Sequence, residues 1–142
     1  MGDYLMSIIK ANDIQNASGG IPTVKSQQLI PTAWVNFNGT GTVAIRGSEN
    51  VSSITDNGTG DYSINWATVM ANVNYSVSHM VNRSNEAARG SQWCSYAVTQ
   101  SAGIFPTTSS LRINTGYSAK NGYDGGMEDQ QYITLTVMGG QA

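Results

Sequence analysis

The segment from Ala33 to Trp66 constrains the fold of this 142-residue chain more than any other part. It reads AWVNFNGTGTVAIRGSENVSSITDNGTGDYSINW, in which short apolar runs alternate with polar residues and Asn-Gly pairs interrupt them. Side chains alternate between the two faces of a β-strand, so apolar residues two positions apart share a face. Two strands with one apolar face each are therefore expected, carrying Val43 and Ile45, and Tyr62, Ile64 and Trp66.

Short stretches rich in glycine and asparagine separate these strands. They lie at 38–41 (NGTG) and at 56–61 (DNGTGD). Tight hairpin turns need positive φ angles, which Gly accepts freely and Asn tolerates. The second stretch superficially resembles a calcium loop, but it lacks the terminal bidentate Glu and the length of an EF-hand. A hairpin turn without a metal ion is therefore the expected structure.

The composition favours strands and turns over long helices. Charged residues make up 11% of the chain, against ~25% in an ordinary globular domain, while Gly, Ser, Thr and Asn supply 58 of the 142 residues. Small neutral side chains suit exposed strands and tight turns. We expect an all-β protein, an antiparallel β-sandwich over residues 31–142. About eight short strands are predicted, at 32–37, 41–46, 50–56, 60–66, 73–82, 91–100, 110–115 and 130–138.

Two of the later strands carry rows of apolar residues at period two, which predicts an inward-facing row in each. These rows are Tyr75, Val77, His79 and Val81, and Ile133, Leu135 and Val137. His79 is the only histidine, and its place in such a row predicts a buried or interfacial structural side chain. Cys94 is the only cysteine and is expected to be a small buried hydrophobe on a strand.

Residues 1–30 differ from the rest of the chain. They show no sustained helical or strand period, and Gly19, Gly20 and Pro22 interrupt any regular element. We interpret them as an extended attachment or assembly arm, with a floppy terminus as the alternative. The apolar residues expected to anchor this arm are Ile8, Ile9, Ile14, Ile21 and Val24. An early acidic residue and the lack of a long apolar run predict no secretory signal and no membrane insertion.

The residues that usually carry catalysis are sparse in this sequence. Nine acidic residues are scattered along it, and the adjacent pair Glu128-Asp129 would point to opposite faces of a strand. No Gly-x-Ser-x-Gly elbow, P-loop, dinucleotide fingerprint or zinc spacing is present. The chain is therefore predicted not to be an enzyme and to need no cofactor or metal. A net charge of −2 without a basic cluster argues against nucleic acid as a partner.

Gly116–Gly126 (GYSAKNGYDGG) is predicted to be the longest loop, with four Gly in eleven residues. Aromatic faces next to amide and carboxylate groups suit an exposed recognition loop for sugar or protein, although tyrosine is also common at strand edges. The candidate receptor-binding residues are Tyr117, Asn121, Tyr123 and Asp124. Trp34, Trp66 and Trp93 are expected to be core or subunit-interface residues rather than ligand platforms.

The segment AWVNFNGTGTVAIRGSENVSSITDNGTGDYSINW, together with the upstream IIKANDIQNASGGIPTV, resembles a family of short tail-fibre-type proteins of bacteriophages from aquatic bacteria and cyanobacteria. The resemblance covers residues 8–81, about half of the chain. It implies a virion protein, a homotrimer, whose N-terminal arm joins it to the particle and whose β-domain faces outward. The chain is short for a fibre and lacks a long stalk, which leaves a small appendage open as well.

The sequence features and the resemblance allow three functions. The first is a homotrimeric short tail fibre or host-adhesion appendage, anchored by residues 1–30 to tail or baseplate proteins and contacting a host surface glycan or protein. The second is a decoration or cement protein of the capsid. The third is a carbohydrate-binding module or a small depolymerase. In the first two the chain is located in the virion, and repeated weak contacts would act together.

Overall fold

The computed structural model describes residues 30–82, 90–97, 104–119 and 124–140, together with the backbone of residues 23–24 and 27–28. The chain divides into two units, residues 1–30 and 31–142. In the first unit, β1 (Thr23–Val24) and β2 (Gln27–Gln28) pair antiparallel. Val24 lies on β1, whereas Ile8, Ile9, Ile14 and Ile21 lie outside the described residues.

Residues 31–142 contain nine strands in the described ranges, all paired antiparallel. They are β3 (Ala33–Asn38), β4 (Ala44–Glu49), β5 (Val51–Gly58), β6 (Asp61–Trp66), β7 (Tyr75–Asn82), β8 (Gln92–Tyr96), β9 (Ser110–Tyr117), β10 (Gly126–Met127) and β11 (Tyr132–Gly139). Four of them form one sheet in the order β4-β3-β11-β7. The other five form a second sheet, in which β10 and β6 both pair with β9, β5 pairs with β6, and β8 also pairs with β9.

The two sheets pack face to face around one hydrophobic core, which confirms the predicted β-sandwich. The core alternates with outward residues along each central strand, as a half-buried strand requires. Its fully buried members come from both sheets: Val35 and Phe37 of β3, Tyr62 and Ile64 of β6, Leu111 and Ile113 of β9, and Ile133, Leu135 and Val137 of β11. The predicted rows of β6 and β11 are therefore confirmed as inward-facing.

All eight predicted strands are present, but β4 lies three residues later than predicted. Val43 packs against the core just before the strand begins, and Ile45 lies opposite the buried Phe37 while remaining partly exposed at the sheet edge. The strand then continues through Gly47 to Glu49. The chain crosses from β4 to β5 at Asn50, whose φ of 53° is the left-handed conformation that Asn tolerates.

The predicted hairpin between β5 and β6 is confirmed. Gly58 and Gly60 have φ angles of 131° and 65°, and the Gly58 amide donates to the Asp56 carboxylate at 3.0 Å. The Asn57 side chain donates to Ser63 Oγ at 2.9 Å across the hairpin. Asp56 and Asn57 thus make hydrogen bonds within the hairpin.

The residue row of β7 is only partly inward-facing. Tyr75 is buried and Val77 and Val81 are half-buried, but His79 is exposed in the single chain, so it is not a core residue, and its interfacial role stays a prediction. The reason is the position of β7 at the end of its sheet, where the described residues pair it with β11 alone. The space between the sheets stays open at this edge.

None of the described residues forms a helix capable of crossing a membrane.

Candidate functional site

The outward side of the four-stranded sheet carries aromatic and polar side chains on a common surface. Odd-numbered positions of β3 and β11 are buried, so the even-numbered ones point away from the core. We call this surface the outer face and define it by Trp34 and Asn36 of β3, Arg46, Gly47 and Glu49 of β4, Ser78 and Met80 of β7, and Tyr132, Thr134 and Thr136 of β11. It spans all four strands of the sheet.

Trp34 lies on the outer face with its indole across the neighbouring strand. A methyl group placed on Gly47 would lie 3.3 Å from Cη2 of Trp34, so the six-membered ring covers this glycine. An aromatic ring over a glycine restores packing that the missing side chain would otherwise leave out. One side of the indole is thereby held by the sheet, while 42% of Trp34 remains exposed.

The side chain of Arg46 lies on the outer face and contacts both Asn36 and Tyr132. The register of β3 against β4 shifts between Asn36 and Phe37, and this bulge lets Arg46 project outward. Its Nη1 donates to Oδ1 of Asn36 at 3.4 Å, and its Cζ lies 4.5 Å from the centre of the Tyr132 ring. This is a cation–π geometry, which orders both the guanidinium and the ring. Tyr132 is 44% exposed.

The strand register fixes the separation of the backbone positions of Trp34 and Tyr132. Trp34 is opposite Thr136, and Tyr132 is four residues away from Thr136 on the same strand. At about 3.3 Å per residue this places the two backbone positions roughly 13 Å apart along the strand direction. Asn36 and Thr134, which are opposite each other, lie between them. The outer face is thus an aromatic–polar–aromatic row on a rigid support.

The sheet beneath the outer face is firmly held. β11 pairs with β3 and along its whole length with β7, and the inward sides of these strands are fully buried at Phe37, Ile133 and Leu135. A surface built on paired central strands keeps its geometry better than one built on a loop. The side chains of the row are therefore presented in a fixed arrangement.

The predicted receptor-binding loop differs from its expected structure. Tyr117 is not in a loop: it is the last residue of β9, half-buried and paired with Gln92 and with Gly126. Gly126 and Met127 of β10 pair with Tyr117 and Gly116 of β9. No larger side chain fits at Gly116, where an added methyl group would collide with the Gly126 carbonyl and the Trp93 ring. Asp124 is exposed, and Asn121 and Tyr123 lie outside the described residues.

The three tryptophans have different environments. Trp66 is buried in the core, as expected, and its ring meets that of Tyr75 edge to face at 6.1 Å. Trp93 is half-buried and packs over Gly116 on the outward side of the five-stranded sheet. Trp34 is not a core residue. The parity of β3 signals this in the sequence, since Ala33, Val35 and Phe37 occupy the apolar positions and Trp34 falls between them.

A cleft of about 300 Å³ opens between β7 and β8. Its floor is apolar, and its rim includes His79, Ser95 and Tyr96. Cys94 lines it and is 8% exposed, which confirms the expected buried cysteine on a strand. Burial raises the pKa of this thiol to about 12, so the reactive thiolate is scarce at neutral pH. Cys94 is therefore not an activated nucleophile.

Two contacts fix the charged groups of the five-stranded sheet. Arg112 donates to both carboxylate oxygens of Asp61, at 2.7 and 2.6 Å, and this pair raises the pKa of the guanidinium. Asp129 accepts from the Gly60 amide at 2.7 Å. Both carboxylates thus serve structural contacts. Within the described residues no group of three or more His, Cys, Asp or Glu side chains is arranged to hold a metal ion.

The composition of the outer face was the part of the site that sequence reasoning missed. Arg46 and Asn36 have no motif of their own, and Tyr132 stands next to the predicted strand row without belonging to it. They come together only through the pairing of β3 with β4 and with β11. No protein-family model, curated protein or solved structure significantly matches this chain.

Proposed function

We propose that this chain is a non-enzymatic structural protein of a bacteriophage particle that acts as a short tail fibre or host-adhesion appendage. The sequence resemblance over residues 8–81 supports the assignment to a virion. The observation that carries the adhesion role is the outer face, with its exposed Trp34 and Tyr132 on paired central strands. Aromatic side chains and Arg are enriched where proteins contact other molecules.

The resembling motif and the outer face overlap in sequence. The stretch AWVNFNGTGTVAIRG includes Trp34, Asn36, Arg46 and Gly47, which are the β3 and β4 contributions to the face. The same motif also supplies inward residues such as Phe37. A motif that specifies both the packing of a strand pair and its outward side chains is consistent with a module that presents this surface.

The mechanism we propose is multivalent attachment. In a homotrimer, three copies of the outer face would contact one host surface, and each contact after the first would be effectively intramolecular. The overall affinity can then exceed the affinity of a single contact by a factor of about 10²–10⁴. A weak single contact therefore suffices for firm adhesion. Residues 1–30 are proposed to join the trimer to the particle.

Quantitative mass spectrometry of purified phage particles tests this proposal directly. A tail fibre or adhesion appendage is expected in tens of copies or fewer, at the tail, where antibodies against the sandwich domain should label intact particles. Hundreds of copies distributed over the head would instead support the capsid decoration role. Absence of the chain from washed particles would overturn a virion function altogether.

The role of the N-terminal arm has its own test. Phage that encode the chain without residues 2–25 are expected to assemble particles that lack this protein. The matched control is a chain of full length in which Trp34 is replaced by Ala, which should still be incorporated. Particles that carry the truncated chain at normal levels would refute the anchoring role.

A further inference from the structure

We propose that the outer face binds a carbohydrate chain, with Trp34 and Tyr132 as stacking platforms and with Arg46 and Asn36 as hydrogen-bonding groups between them. This inference rests on the proposed function, because it names the chemical class of the host surface that the adhesion protein contacts. It moves the binding site from the 116–126 segment to the sheet.

The argument begins with the chemistry of the two rings. One side of a sugar ring is a patch of C–H groups, and the face of an indole or phenol ring is a flat apolar surface of similar size. Trp and Tyr combine such a surface with a polar tip, so they serve where a partner is partly apolar and partly wet. Trp34 and Tyr132 are each more than two-fifths exposed, and the sheet holds them in place.

The polar groups near the two rings can form hydrogen bonds with the hydroxyls of a sugar. Hydroxyls along the edge of a sugar need donors and acceptors in fixed positions. Arg46 offers a planar fork of donors, Asn36 both a donor and an acceptor, and Thr134 a hydroxyl. The contact of Arg46 with Asn36 and Tyr132 orders its guanidinium before any ligand arrives. Less side-chain entropy is then lost on binding.

The charge of Arg46 is available to a ligand. No carboxylate of the described residues lies within 4.0 Å of its guanidinium, since the ion pair of those residues joins Arg112 to Asp61. Arg46 can therefore donate to hydroxyls of a neutral sugar or to the carboxylate of a uronic acid. Glu49, opposite Trp34, adds an exposed acceptor at the other end.

The pattern of the face fits a carbohydrate better than an apolar protein surface. Its two exposed aromatic residues are separated by polar ones, because Asn36 and Thr134 lie between the backbone positions of Trp34 and Tyr132. A flat apolar partner would bury these polar groups without hydrogen bonds, which costs free energy. A sugar chain can instead pair its hydroxyls with them. The backbone positions of the two residues lie roughly 13 Å apart along the strands, a span that a chain of several sugar units covers.

Affinity electrophoresis of the full-length chain in native gels tests this inference. The probes are two neutral polysaccharides, laminarin and dextran, one polyuronate, alginate, and a purified smooth-type bacterial lipopolysaccharide. Retardation of the wild type in at least one gel is expected. Trp34→Ala and Tyr132→Ala should each raise the dissociation constant for that polysaccharide by about tenfold. Tyr96→Ala is the matched control, because this tyrosine is 45% exposed but belongs to the cleft.

Arg46→Gln separates neutral from acidic ligands. A loss of retardation in alginate beyond that in laminarin would assign the guanidinium to a carboxylate, and equal losses would assign it to hydroxyls. Either result supports the inference. Each variant is first compared with the wild type by circular dichroism and urea unfolding, so that a folding defect is not mistaken for lost binding.

Three outcomes would overturn the inference. The first is a wild-type chain that none of the four probes retards. The second is retardation that Trp34→Ala and Tyr132→Ala leave unchanged. In the third, sedimentation shows that these variants break an oligomer of the wild type, which would identify the outer face as a subunit interface. None of these outcomes alters the copy number or location of the chain in particles, so the virion proposal is tested separately.

Discussion

The hydroxyl of Tyr62 lies 2.7 Å from Oδ1 of Asp129, and this contact ties the β5–β6 hairpin to the segment that leads into β11. The same carboxylate oxygen accepts the Gly60 amide, and the Tyr62 hydroxyl also lies 3.0 Å from the Gly39 carbonyl. Burial first, and then the hydrogen bond to Asp129, raise the pKa of Tyr62 well above its usual range. Two turns and two sheets therefore meet at one neutral phenol.

Tyr62→Phe is predicted to lower the free energy of unfolding by about 1–2 kcal/mol. The change removes a hydrogen bond to an ionised acceptor while preserving the ring, which packs edge to face on Phe37. Urea denaturation at pH 7 measures the effect. Tyr132→Phe is the matched control, since this exposed hydroxyl lies on the outer face, and it should stay within about 0.5 kcal/mol of the wild type. Equal effects in the two variants would contradict the assigned role of Asp129.

Gly60→Ala and Gly41→Ala should differ strongly although the two glycines have nearly the same φ, 65° and 64°. A methyl group on Gly60 would collide with the Thr115 carbonyl and lie 2.7 Å from the Glu128 amide, whereas Gly41 faces open space. Gly41→Ala should therefore cost only about 1–2 kcal/mol of left-handed strain. Gly60→Ala should cost about 3 kcal/mol or more, or prevent folding.

Thermal unfolding of both glycine variants measures this difference. Because the backbone strain is shared, the gap between them isolates the steric contact. A Gly60→Ala protein as stable as the Gly41→Ala protein would show that the turn can move away from β9.

Cys94 is predicted to make the fold sensitive to alkaline pH. Burial raises the pKa of its thiol from 9.0 to about 12, so the folded state keeps a proton that the unfolded state loses. The stabilisation is fully present below pH 9 and declines as pH rises from 9 toward 12. Between pH 8 and pH 10 the free energy of unfolding of the wild type should fall by about 1.4 kcal/mol more than that of Cys94→Ala.

Urea unfolding of the two proteins at pH 8 and pH 10 provides the measurement. Tyrosines contribute equally to both curves, so the difference between the proteins belongs to the thiol. Parallel pH dependence in the wild type and the variant would contradict the burial of Cys94. Slow reaction of the folded wild type with iodoacetamide at pH 8 is expected for the same reason.

The Arg112–Asp61 pair should contribute modestly to stability. Its geometry is bidentate, but the two side chains retain 31% and 17% of their exposure, so solvent screens the attraction. Arg112→Lys is expected to cost roughly 0.5–1 kcal/mol, because an ammonium group cannot make both contacts. The cost should shrink when NaCl is raised from about 0.1 M to 1 M, where the Debye length falls from ~10 to ~3 Å. A salt-independent cost would point to packing of the side chain instead.

The predictable part of the fold follows from local patterns. The alternation of Tyr62, Ile64 and Trp66, and of Ile133, Leu135 and Val137, matches the buried side of β6 and β11 because period two is a property of any half-buried strand. The turn at 56–61 was equally visible, since its glycines need positive φ angles.

The wrong predictions concern residues whose environment depends on a distant strand. The strand predicted over 41–46 was expected to end before Gly47, but β4 continues through this glycine, which the ring of Trp34 covers. Tyr117 was expected in a loop, but pairing with Gln92 and Gly126 extends β9 through it. His79 lies within the apolar row of β7 but is not a core residue, because the described residues pair this strand with β11 alone; its interfacial alternative stays a prediction.

The sequence by itself determined that this chain forms strands, where most of them begin and end, and which sides of the central strands are buried. These properties depend on neighbouring residues and on the spacing of apolar side chains, and both can be read from the local sequence pattern. Only the tertiary structure decided that Trp34, Arg46 and Tyr132 share one surface. Their proximity depends on the order of strands in the sheet and on one bulge, and pairing between segments about a hundred residues apart leaves no local pattern.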